Sequence, residues 1–147
     1  MTPTADCSEP NVLIDLARSM IQNQDPELVG IWPRAAAILA RQAFEISLDR
    51  FWLAVAPGVE NASAHAQLTC LADYIDSELA SRVRYIWHGL SIACHHQAYE
   101  LPPNAQELEG WLTDIDALVE EAERQSRDGR CAASPKHELQ SEILESC

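Results

Sequence analysis

The stretch RAAAILARQAFEISLDRFWLAV, residues 34–55, decides the fold. Ala37, Ala40, Phe44, Leu48, Phe51 and Val55 recur at steps of three and four, which places them on one face of an α-helix. Arg41, Glu45, Asp49 and Arg50 supply its charge, and Pro57-Gly58 stops it. Upstream, Pro33 either kinks this helix or starts it, because proline is tolerated only in a first turn. Asp25-Pro26 is a second start signal, a capping acid followed by proline.

The same period extends outward. Asn11 is a cap for a first helix carrying Val12, Leu16 and Met20 at helical spacing, beside Leu13 and Ile14. Asn61 opens a shorter helix through Leu68 and Leu71, and a break at Asp73–Asp76 follows. The next helix spans about Ser77–Gln97. Asn104 and Glu107 make a capping box for the last helix, on which Leu108, Trp111, Leu112, Ile115, Leu118 and Val119 share a face. No alternating apolar run or Asn-Gly or Asp-Gly turn signals a β-hairpin. The expected fold is therefore all-α: a single bundle of about four to five helices with one long helix, over residues 11–122. Residues 1–10 read as a flexible N-terminus and residues 123–147 as a polar, flexible tail.

With 147 residues, 47% of them hydrophobic, the chain is long and apolar enough to bury a core. Its 23 acidic and 10 basic residues leave a formal net charge of −13, which argues against general DNA binding and against anionic membrane surfaces. The N-terminus is polar and acidic, with no leader-like apolar core, so the expected location is cytoplasmic. Five Cys, widely spaced and without CxxC, give no disulfide scaffold or zinc ribbon. Cys70 and Cys94 read as small buried hydrophobes, and Cys131 and Cys147 as thiols in the tail.

The chemically dense segment is SRVRYIWHGLSIACHHQAYEL, residues 81–101. Arg84, His88, Ser91 and His95 step by four, three and four and form a polar stripe. Val83, Ile86, Trp87, Leu90 and Cys94 form the apolar stripe beside it. A His titrating near neutrality can pass protons, and an Arg can stabilise a phosphate gaining charge. Those are the capacities metal-independent RNA cleavage requires. The plainer reading is a solvated helix face. No i,i+4 His pair with a completing Glu exists, so neither a metal site nor another cofactor is expected.

The long helix at residues 40–54, the segment LSIACHHQAYEL at 90–101 and the helix from Asn104 resemble the HEPN superfamily of nucleotide-binding helical bundles, over roughly residues 30–120. The resemblance implies a bundle that often dimerises, in a bacterial RNA-targeting, toxin–antitoxin or anti-phage defence system. Many such proteins are metal-independent ribonucleases, and others bind nucleotides or partner proteins without catalysis. Their motif of Arg, four to six residues, then His is matched by Arg82 to His88. It implies that Arg82 or Arg84 contacts the scissile phosphate and that His88 or His95 is the acid/base, with Ser91, His96 and Tyr99 in ligand-binding positions.

Two departures stand beside that match. Val83 follows Arg82 where active members carry a polar residue. Six helical steps also set Arg82 and His88 about 120° apart, so they converge only at a helix break or across two protomers. The alternative is a non-catalytic acidic interaction module, either a homodimer or an accessory subunit binding a partner protein.

Overall fold

Residues 8–23, 26–95 and 101–133 are described in the computed structural model. Among them lie five α-helices: α1 (Pro10–Gln22), α2 (Trp32–Val55), α3 (Ala64–Leu71), α4 (Ser77–Cys94) and α5 (Ala105–Ala133). Single 3-10 turns at Pro26–Leu28 and Val59–Asn61 interrupt the connections. No strand occurs among the described residues, so the all-α bundle expected from the periodicity is the fold.

Pro33 starts α2 rather than kinking it, since it lies in the first turn, where its missing N–H has no helical partner to lose. Gly58 follows Pro57 with φ of 108°, a left-handed conformation that glycine adopts without steric cost, and the chain turns away there. Asp76 caps α4 by accepting from the N–H groups of Glu78 and Leu79 at 3.0 and 3.2 Å. Asn104 and Glu107 form the expected reciprocal box: each backbone N–H donates to the other's side chain, at 3.0 and 2.9 Å.

Several boundaries differ from the sequence reading, each for a local reason. Glu9, with Pro10 behind it, holds the cap position of α1 that Asn11 was expected to fill. Asn61 ends a 3-10 turn, and Ser63 caps α3 by accepting from the Ala66 N–H at 3.3 Å. α4 ends at Cys94, where His95 turns extended, rather than at Gln97. The longest helix is α5, at 29 residues against 24 for α2. It continues to Ala133, past residue 123 where the apolar pattern fades and the sequence reads as a tail.

α2 is the central element. It packs most extensively on α5, and α1 and α4 each pack on both. Ala36, Ala37, Ala40 and Ala43 are all buried and short, so the neighbouring helices approach the α2 backbone closely. Phe44, Phe51 and Trp52 then share one buried core with Leu13, Ile14, Leu90, Leu112, Ile115 and Leu118. Burying one such side chain contributes about 1.5–3 kcal/mol. A fork from Arg18, to Glu109 at 2.9 Å and Asp116 at 2.7 Å, ties α1 to α5 on the surface.

Candidate functional site: the outer face of α4

The inner face of α4 is committed to the core. Val83, Ile86 and Leu90 are buried, and Trp87 stacks on Phe44 with ring centroids 5.5 Å apart. Arg41 covers the Trp87 ring, its guanidinium carbon 4.8 Å from the centroid. Gly89 faces α5, where a Cβ would lie 2.6 Å from Cζ2 of Trp111. The absence of a side chain at 89 is what lets the two helices meet.

The two arginines of the stripe segment leave in different directions. Arg82 turns to α5, with its Nη1 3.8 Å from Asp114 Oδ1. Arg84 turns to α3, donating from Nη2 to the Leu68 carbonyl at 3.5 Å. His88 and His95 are exposed, and neither side chain makes a hydrogen bond or ion pair among the described residues. Ser91 is half-buried beside them. His96 and Tyr99 lie outside the described residues. The stripe therefore exists as a surface, but within one copy Arg82 does not converge with His88.

That surface carries two further residues the sequence reading passed over. Tyr85 is 71% exposed and Ile92 41% exposed, and their spacing from His88 puts all three on the outward side of α4. Their signal was visible: from Leu79 to Tyr99 the chain has no Asp or Glu, in a protein with 23 of them. The outer face of α4 is thus a mixed aromatic, aliphatic and imidazole strip flanked by Arg84, on a molecule of net charge −13.

Two surface clefts flank α5, and neither is lined by Arg82, Arg84, His88, Ser91 or His95. An enclosed ligand pocket around Arg84 and His88 is not formed by them. Among the described residues no group of three or more His, Cys, Asp or Glu could hold a metal ion. Cys94 is half-buried beside Arg41. Burial pushes its thiol above the ordinary range and the nearby guanidinium only partly offsets this, so the reactive thiolate is disfavoured. Cys70, expected to be buried, is exposed, because the eight-residue α3 buries Gln67, Leu68 and Leu71 and leaves position 70 off that face.

No described helix is long and apolar enough to cross a membrane. No family model, curated protein or solved structure matches the chain.

Proposed function

We propose that this chain is a non-catalytic helical interaction module that pairs with a second copy through the outer face of α4. The carrying observation is the exposed, acid-free strip of Tyr85, His88 and Ile92 on a chain of net charge −13. Two such chains repel each other over most of their surfaces. At the α4 face they can meet without opposing carboxylates from the strip itself. A two-fold axis there sets the same aromatic and aliphatic side chains of each copy against one another. Burying Tyr85 and Ile92, both held outward on a rigid helix, supplies the apolar contact that paired surfaces use.

In the setting the HEPN resemblance suggests, this is an accessory component of an RNA-targeting or defence system, one that binds rather than cleaves. The divergence of Arg82 and Arg84 supports the non-catalytic role, because phosphate contact and acid/base groups are not preassembled in one copy. The ribonuclease reading uses the same face, with two stripes opposed across the two-fold axis. Expression in a bacterial host, followed by total-RNA integrity for wild type and His88→Ala, separates the two readings. Intact RNA with both proteins soluble and folded is the expected result. Fragmentation by wild type that His88→Ala abolishes makes the protein a ribonuclease and His88 its acid/base.

A further inference from the structure

Away from α4, a cleft of about 520 Å³ opens between the C-terminal halves of α2 and α5, beside Pro10 at the start of α1. Small side chains create it: Ser47 and Ala54 on one wall and Ala122 and Ser126 on the other leave the ridges of the two helices unfilled. Beyond them α5 closes on α2, where a Cβ at Gly129 would lie 3.7 Å from the Ala54 carbonyl oxygen. The volume falls in the range of small-molecule sites, about 300–1,000 Å³.

Its lining has two chemistries. Leu53, 54% exposed, is its open apolar side chain, and Val119, buried in the core, lies beneath it. Arg50, Arg127 and Arg130 give it three guanidinium groups against a single carboxylate, Glu123. That inverts the balance of the whole chain, where acids outnumber bases more than two to one. Arg50 is already engaged by Glu9, at 2.9 and 3.0 Å. Arg130 donates from Nε to the Ser126 carbonyl at 3.3 Å, and neither it nor Arg127 has a carboxylate partner among the described residues.

We infer that this cleft binds a free anionic amphiphile, a molecule with an acyl-sized apolar body and one carboxylate head. The body lies along Leu53, where it removes exposed apolar surface from water. The head meets Arg127 and Arg130, one helical turn apart, in charge-assisted hydrogen bonds. The inference is independent of pairing through α4, since no α4 residue lines the cleft.

The test is calorimetric titration of the full chain with decanoate below its micelle concentration, beside decanol, decylammonium, inorganic phosphate and phosphatidylglycerol–phosphatidylcholine vesicles. Saturable binding of decanoate at one site is expected, with weaker binding of every other probe. Replacing both Arg127 and Arg130 with Ala is expected to weaken decanoate by about tenfold. Leu53→Glu, at a solvent-exposed position that leaves the fold intact, is expected to weaken it as well, with an unchanged circular dichroism spectrum as the control. The inference is overturned if wild type does not bind decanoate, or if the double variant binds it as wild type does. Equal binding of decanol makes the cleft merely apolar, equal binding of phosphate makes it merely cationic, and preference for vesicles makes it a membrane-surface contact. Each of these outcomes also overturns it.

Discussion

Gly89→Ala sets two effects of opposite sign against each other in the middle of α4. Alanine in place of glycine favours a helix by about 0.8–1 kcal/mol. The new methyl, however, lands 2.6 Å from Cζ2 and 3.1 Å from Cε2 and Cη2 of Trp111. Carbon atoms rest at about 3.5–4.0 Å, so the overlap is close to 1 Å. A flat indole held between two helices cannot yield that much without rotating out or pushing α5 away, and such overpacking costs about 1–3 kcal/mol. The steric penalty wins, for a net loss of about 1 kcal/mol and a fall of a few degrees in Tm. Urea unfolding followed by far-UV circular dichroism reads the change. In a Trp111→Ala background the obstacle is gone, and the same Gly89→Ala change is expected to stabilise by about 1 kcal/mol through helix propensity alone. A higher urea midpoint for Gly89→Ala with Trp111 present, or an equal effect in both backgrounds, would refute the close-approach reasoning.

Asn104→Ala removes the acceptor for the Glu107 N–H and is expected to cost about 1 kcal/mol, read in the same urea experiment. Little change would mean that the first turn of α5 is held by its packing rather than its cap. Glu121 is opposed by burial, which raises its pKa, but hydrogen bonds from Arg124 and Gln125 outweigh this and hold the carboxyl below its ordinary value of 4.5. Its stabilisation is therefore fully present above the unfolded-state pKa and is lost as pH falls through the depressed folded-state value. Glu121→Gln should accordingly be less stable than wild type at neutral pH, with the gap closing as the solution is acidified below about pH 4.5. A gap that stays constant from pH 7 to pH 3 would show that the carboxylate charge is not what Arg124 and Gln125 stabilise.

The bundle was legible because its signals are local and mutually consistent. The 3.6-residue period of α2, the Pro57-Gly58 stop and the Asn104–Glu107 box each depend on neighbours in sequence, and each lies where the pattern puts it. The reach of α5 was less legible. Beyond Val119 it buries only Glu121 and Ala122 among side chains described there, so the run to Ala133 leaves little apolar periodicity to read.

The stripe of Arg84, His88, Ser91 and His95 was legible as a helix face, but where its arginines turn depends on other helices. Asp114 is remote in sequence from Arg82, as Leu68 is from Arg84, and no spacing rule encodes either contact. Tyr85 and Ile92 were overlooked because an aromatic or aliphatic residue at helical spacing normally points into a core. The cleft of Arg127 and Arg130 depends on α2 and α5 lying side by side, which only the assembled bundle reveals.

Sedimentation velocity over a concentration series, on wild type and on a Tyr85→Glu, Ile92→Glu variant, tests pairing through α4 most directly. Both positions are exposed in a single copy, so the variant keeps the fold. The expected result is a concentration-dependent dimer for wild type and a monomer for the variant, because two added carboxylates per copy then face their counterparts across the axis. A wild type that stays monomeric through high micromolar concentration, or a dimer that survives both substitutions, would contradict pairing through this face.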